Sequence, residues 1–188
     1  NSVTSLEQMS LAIKNGALTA RQALSQPVEG TIVTVISAFA DALHLNHEKI
    51  HFQQWFEVAL CSAKKALANT PNQLAVLQKA GVVDAGGQGF VDMLEGVYQF
   101  IKDGRIDLND EVENCSADLE VANAHLELAE CDYEHRWCTE CLILGEGLQR
   151  GSLQAAINDL GASCVVVAGS TSRIRLHAHV ANPTQLFE

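Results

Sequence analysis

The 188-residue chain is long enough for one ordinary domain or two small ones. Hydrophobic residues make up 47% of it and charged residues 19%, a balance that excludes a disordered polymer. Its formal charge of −11 argues against a nucleic-acid backbone or an anionic membrane surface as the main partner.

The apolar runs and the cysteines bear on the cellular compartment. No apolar run approaches the ~20 residues that span a bilayer, and the first residues carry neither the basic nor the apolar segment of a signal peptide. The six cysteines are scattered through predicted helices and strands, which indicates reduced thiols more than a disulfide framework. We therefore expect a cytoplasmic protein.

Residues 1–104 are predicted to form amphipathic helices joined by short connections. Thr4 and Ser5 precede Glu7 and Gln8 by three residues, a capping-box pattern that opens the first helix. Apolar residues then recur at helical spacing in several segments, and Pro71 stands at a favoured helix start. The pattern predicts an antiparallel α-helical bundle or barrel.

The most distinctive stretch of this half is Leu77 to Gly96. Gly86, Gly87 and Gly89 lie close together between two apolar helical runs, where they let the backbone approach a ligand or another helix. Asp84 is predicted to cap the second helix, placing a carboxylate near free N–H groups. Spacing alone favours a tight packing turn over a ligand site.

Two other polar clusters favour ordinary solvated surface. His44, His47 and His51 surround one connection, but their spacing fixes no coordination geometry, so a solvated loop is the preferred interpretation. The acidic segment 105–135 is predicted to be a connector that includes one helix around Leu119 to Ala129.

From residue 136 the pattern changes to strand, helix, strand and strand. A short apolar strand ends at Leu144, a helix follows, and a valine-rich strand runs from Ser163 to Ala168. Arg173 to Val180 alternates as a further strand. Residues 136–188 are therefore predicted to form a small α/β domain.

His177 and His179 give the strongest local signal for chemistry. In a strand they project from one face, where two neutral imidazoles form half of a zinc site. Cys138 and Glu140 share a face of the first strand, whereas Cys141 faces the opposite way. Cys138, His177 and His179 would suit zinc, leaving a fourth position for water, substrate or Glu140; the alternative is a solvent-facing histidine pair beside ordinary cysteines.

Common enzyme motifs are absent from the sequence. It contains neither a nucleophile elbow nor a Walker-type Gly-x-x-x-x-Gly-Lys-Ser/Thr loop. A nucleotide, if bound, must therefore be bound by another architecture.

Three segments in order resemble a known family. KAGVVDAGGQGF at Lys79 to Phe90 resembles the glycine-rich segment of the dihydroxyacetone-kinase L-type (DhaL) domain, in the form found in fatty acid kinase ATP-binding subunits. PVEGTIVTVI at Pro27 to Ile36 resembles a turn and helix of that domain. Trp137 to Glu188, with RIRLHAHVANP, resembles the middle domain of those kinase subunits.

The resemblance implies a multidomain α and α/β protein: a helical barrel that holds magnesium–ATP, then a small α/β domain. Such a subunit phosphorylates the carboxylate of a fatty acid presented by a DegV-type carrier protein; a homodimer is left open. Zinc would be held by Cys138, His177 and His179, with both histidines facing the acyl carboxylate in a catalytic role. The residues that would border the nucleotide are Glu29, Gly30, Thr31, Asp84, Ala85, Gly86 and Gly87.

The sequence also departs from the family pattern. The aspartate-rich loop that holds two magnesium ions would lie before residue 1. The Gly-Asn-Ser-Gly phosphate loop would follow Ala20-Arg21, where this sequence continues with Gln22. Either a deletion or an omitted segment would explain this abrupt join, and omission is favoured because losing a long helix would open the barrel. The chain by itself is therefore not expected to be a competent kinase.

Two other functions remain open at this stage. The first is a dihydroxyacetone-kinase-like phosphotransferase subunit, against which the middle domain argues. The second is a non-catalytic module that docks a DegV-type lipid-binding protein, which the missing loops would favour.

Overall fold

A computed structural model describes residues 4–47, 51–104 and 134–187 of the chain. These residues form two compact units. The first contains residues 4–18 and the described residues from 28 to 104, and the second contains residues 19–27 and 134–187. Most of the predicted acidic connector, including its helix around Leu119 to Ala129, lies outside the described residues.

The first unit is a helical bundle, as the hydrophobic periodicity predicts. Apolar side chains of the second, third and sixth described helices interlock in one core that includes Val35, Phe39, Trp55 and Val91. The described helices of this half are α1 (Leu6–Ala23), α2 (Ile32–Leu45), α3 (Phe52–Ala68), α4 (Thr70–Gln73), α5 (Ala75–Ala80) and α6 (Ala85–Asp103).

The polar groups in and around this core are paired. Trp55 is fully buried, and its indole Nε1 donates a 2.7 Å hydrogen bond to the carbonyl oxygen of Leu43, which ties α3 to α2. At the start of α1, Ser5 and Gln8 exchange the two hydrogen bonds of a capping box, at 3.1 and 3.2 Å. The predicted capping box is thus formed by this pair.

Helix α1 continues through Arg21 and Gln22 without a break. The resemblance predicts an abrupt join here, beside a phosphate loop. The chain is instead helical up to Ala23 and then turns through Pro27 into the segment before α2. Ala20 and Arg21 thus occupy a regular helix rather than the edge of a loop.

The second unit is a three-stranded antiparallel sheet with one helix, which confirms the predicted small α/β fold. Its elements are β1 (Trp137–Leu144), α7 (Arg150–Asp159), β2 (Ser163–Gly169), β3 (Arg173–Val180) and a 3₁₀ helix (Pro183–Leu186). The strand order is β1-β3-β2, so β3 is central. Leu24 and Ser25 extend the sheet beside β2, where the Ser25 N–H donates to the carbonyl oxygen of Val165 at 3.0 Å.

The central strand is buried on one face. Ile174, Leu176, Ala178 and Val180 are between 0% and 6% exposed and form a core with Ile157 of α7. The intervening residues of β3 lie on the other face of the sheet, which we call the outer face.

Among the described helices, none is both long and apolar enough to cross a membrane.

Gly30 and Gly16 provide a matched test of this packing. Gly30 has φ +84°, and a Cβ there would lie 3.0 Å from the Thr70 carbonyl oxygen and from the Cβ atoms of Gln73 and Leu74. We expect Gly30→Ala to lower the free energy of unfolding by about 1–3 kcal/mol. Gly16 lies in α1, and a Cβ added there would have no atom within 4 Å, so Gly16→Ala should raise this free energy by about 0.5–1 kcal/mol.

Urea unfolding followed by Trp55 fluorescence, in a Trp137→Phe background, measures both variants in the first unit. An equal effect of the two substitutions would contradict the packing described at Gly30.

Candidate functional site

The turn before α2 is held by a short hydrogen-bond chain. The Gly30 N–H donates to Oγ1 of Thr34 at 3.0 Å, and this hydroxyl donates to the Glu29 carboxylate at 2.6 Å. The Thr31 hydroxyl donates to the carbonyl oxygen of Val28 at 2.8 Å. The side chains of Glu29 and Thr31 thus shape the turn itself.

Asp84 caps α6, as its position before the glycines predicts. Its carboxylate accepts the N–H of Gly87 at 2.7 Å. Gly87 is buried, and a Cβ there would lie 3.0 Å from Val35 Cγ2 and 3.2 Å from Leu67 Cδ1. Gly87 therefore permits close packing of α6, whereas Ala85 and Gly86 are exposed at the helix start.

The buried hydroxyl of Thr70 connects these two segments. It donates to the carbonyl oxygen of Leu67 at 2.8 Å and accepts the N–H of Asp84 at 3.1 Å. The carbonyl oxygen of Thr70 borders Gly30, and Ile32 borders Gly86. The structure therefore brings the turn at 29–31 and the start of α6 at 84–87 together on one surface of the first unit.

Thr70 is a residue of this surface that the sequence pattern did not identify. The pattern indicated only the helix start that Thr70 and Pro71 produce, and a threonine before a proline was the available signal. A shallow concavity of about 450 Å³ lies elsewhere in this unit, between α2 and α3, and contains none of the predicted nucleotide residues.

The register of β1 and β3 brings the predicted metal ligands together. Cys138 is opposite His179, and Glu140 is opposite His177. Because directly paired residues of antiparallel strands project from the same face, all four lie on the outer face. One candidate ligand atom from each of Cys138, His177 and His179 lies within 4.8 Å of the other two.

Glu140 contacts this set directly. Its carboxylate oxygen is 3.1 Å from His177 Nδ1, and the Cys138 Sγ is 3.8 Å from the same nitrogen. The rings of His177 and His179 have centroids 5.2 Å apart. A carboxylate beside a ligating imidazole fixes its tautomer and orientation, a common arrangement at zinc sites.

The donor set fits zinc. One thiolate and two imidazoles are the soft and borderline ligands that zinc takes, and three such ligands leave one position open. Cys141 lies on the opposite face and packs against the core of the sheet. Burial raises the pKa of the Cys141 thiol, which favours its protonated, non-ligating form.

The other histidine group does not form a comparable set among the described residues. His44 and His47 stack with ring centroids 5.5 Å apart, and His44 Nδ1 lies 3.4 Å from the hydroxyl of Ser10. Their roles as packing and hydrogen-bonding side chains agree with the preferred interpretation of a non-metal cluster.

Comparisons with known proteins match both units. Residues 1–99 match the family model described as the DAK2 domain. Residues 134–188 match the family model described as the middle domain of FakA-like fatty acid kinase subunits.

Several bacterial proteins align with nearly the whole chain. An uncharacterized protein of Staphylococcus haemolyticus is 29% identical over 186 residues, covering 96% of this chain and 34% of that protein. An uncharacterized protein of Staphylococcus epidermidis is 28% identical over 189 residues, and one of Mycoplasma pneumoniae is 28% identical over 195 residues. These matches cover 97% of this chain and 34% and 35% of the two proteins, so the chain spans about a third of the length of these relatives.

The aligned lengths correct the interpretation of Arg21 and Gln22. An alignment of 186 residues that includes 96% of a 188-residue chain leaves no room for an additional loop and long helix at this point. Together with the unbroken α1, this shows that the predicted omission was wrong. The reason is that an Ala-Arg pair inside a helix has the same two residues as the pair that precedes a phosphate loop.

Removing either cysteine of the Cys-x-x-Cys segment tests the zinc assignment. We expect about one zinc ion per chain in the wild type, and little zinc in Cys138→Ala. Cys141→Ala should keep its zinc because that side chain faces the core. Elemental analysis measures the content, and cobalt substitution adds a thiolate-to-cobalt absorption band that only Cys138→Ala should lose. Zinc-free wild-type protein would contradict the assignment.

Glu140→Gln tests the contact to His177. Replacing the carboxylate by an amide keeps its shape but removes the charge, and should weaken zinc binding by about 10–100-fold. Competition with a chromogenic chelator measures the affinity. An affinity equal to that of the wild type would show that the contact does not support the metal.

Proposed function

The chain belongs to the DAK2 domain family and carries a FakA-like middle domain, and we propose that it is part of a fatty acid kinase subunit. In this proposal the complete subunit phosphorylates the carboxylate of a fatty acid with ATP. The acid is presented by a DegV-type carrier protein.

The contact network at Thr70 is the observation that best supports nucleotide binding. It joins two backbone segments, at Gly30 and at Asp84 to Gly86, into one surface next to the start of a 19-residue helix. The N–H groups at such a helix start favour anions, and the absence of a Cβ at Gly86 leaves room for close approach. We assign this surface to magnesium-bound ATP or ADP.

The outer face of the sheet is the proposed site for the acyl carboxylate. Cys138, His177 and His179 would hold zinc there, and Glu140 would orient His177. A bound zinc would supply Lewis acidity toward an oxygen of the ligand. The two histidines would also face the incoming carboxylate, which is the catalytic role proposed for them.

Phosphoryl transfer depends mainly on positioning and on neutralising charge. The aspartate-rich and Gly-Asn-Ser-Gly loops that the resemblance assigns to magnesium and the γ-phosphate are not among these 188 residues. We therefore propose that this chain binds the nucleotide weakly and does not complete the transfer by itself.

The middle domain separates this proposal from a dihydroxyacetone-kinase-like subunit. Residues 134–188 match a family model that is defined for fatty acid kinase subunits, and the zinc-type donor set lies within that match. This observation favours the fatty acid as acceptor.

Gly86 and Gly89 provide a matched test of nucleotide binding. A Cβ at position 86 would make only ordinary contacts of 3.4 Å with Asp84 and Ile32, so Gly86→Ala should fold normally. We expect it to weaken Mg–ATP binding about tenfold, equivalent to ~1.4 kcal/mol, because the methyl group occupies the approach to the backbone. Gly89→Ala, with no atom within 4 Å, should leave binding unchanged.

Two-dimensional amide NMR of the chain titrated with Mg–ATP measures both variants. Wild-type resonances of Gly30 and Gly86 that do not move at saturating nucleotide would overturn the assignment of this surface.

A further inference from the structure

The outer face of β3 carries a row of basic side chains. Arg173, Arg175, His177 and His179 alternate with core residues, so all four lie on the face opposite α7. Both arginines are exposed, in a chain with 23 acidic and 12 basic residues apart from histidine. Two neighbouring arginines on one face of an acidic protein need an explanation.

The immediate neighbours of Arg175 supply no counter-charge. It is opposite Leu142 on β1 and Ala168 on β2. Among the described residues, neither Arg175 nor Arg173 forms an ion pair, and the nearby carboxylate of Glu140 contacts His177 instead. The guanidinium of Arg175 is thus available to an anion from solution.

The spacing along β3 places Arg175 next to the metal-type ligands. Same-face residues two apart in a strand are roughly 6.5–7 Å apart, which puts Arg175 beside His177. Arg173 is roughly 13 Å from His177 by the same rise per residue, too far for one small head group to touch both. The two arginines share strand, face and exposure but differ in this distance.

We propose that Arg175 is the oxyanion-binding residue of the outer-face site. Its planar guanidinium would form paired hydrogen bonds with a carboxylate or phosphate and hold that group beside Cys138, His177 and His179. Leu142 is 53% exposed and Leu144 66% exposed next to the two arginines, so a hydrocarbon tail attached to the anion would also find an apolar neighbour. The assignment rests on the proposed function, because that function brings a carboxylate to this face.

The test compares three probes on the 188-residue chain: sodium octanoate, sodium acetate and inorganic phosphate. Binding is followed by the NMR resonances of the His177 and His179 imidazoles. Arg175→Ala should weaken octanoate binding by about tenfold or more, and Arg175→Lys by less, because lysine keeps the charge without the paired donors. Arg173→Ala should change it by no more than about twofold, because only screened, distant charge is lost.

The probes distinguish the sources of the anion. Octanoate binding more tightly than acetate and phosphate supports a fatty carboxylate as the ligand. Phosphate binding tightest, with the same dependence on Arg175, supports the oxyanion site but assigns it to a phosphorylated ligand.

Three results would overturn the assignment: no binding of any probe to the wild type, octanoate binding unaffected by Arg175→Ala, or equal losses in Arg175→Ala and Arg173→Ala. Zinc content is measured on the same samples and should be unchanged in Arg175→Ala. A zinc-free wild type that still shows the Arg175 effect would remove the proposed role of the metal while leaving the oxyanion site standing.

Discussion

The buried hydroxyl of Thr70 is the interaction on which the candidate nucleotide surface depends. A buried polar group must find hydrogen-bond partners, and this one has two, the carbonyl oxygen of Leu67 and the N–H of Asp84. Satisfying it places the end of α3 next to the start of α6. Close approach at Gly30 and Gly87 then becomes necessary, because side chains at these positions would collide with α3 to α5 or with α2.

The second unit is organised by strand alternation rather than by one contact. Burying Ile174, Leu176 and Ala178 forces Arg175, His177 and His179 onto the outer face. The same alternation in β1 separates Cys138, which joins the histidines, from Cys141, which packs in the core. One hydrophobic face thus determines which chemical groups can act together on the other.

The two units share a property: residues that form a core also position residues that can bind a ligand. In the first unit, glycines serve both packing and exposure, since Gly87 is buried while Gly86 is open. In the second unit, buried and exposed side chains alternate along one strand. This coupling explains why single substitutions at buried positions, such as Gly87, would disturb fold and site together, whereas Gly86 and Arg175 allow the two to be separated.

The sequence alone determined the helical and α/β halves, the cap at Asp84 and the shared face of His177 and His179, because these follow from periodicity and local hydrogen bonding. It also predicted that Cys138 rather than Cys141 would join the histidines, since residues three apart in a strand face opposite ways. Local patterns could not show the contact of Thr70 with Asp84 or the pairing of Glu140 with His177, because both join residues distant in sequence. The Ala-Arg pair at 20–21 shows the limit of short motifs: the continuous α1 and the matched relatives, not the two residues, decide that it belongs to a helix.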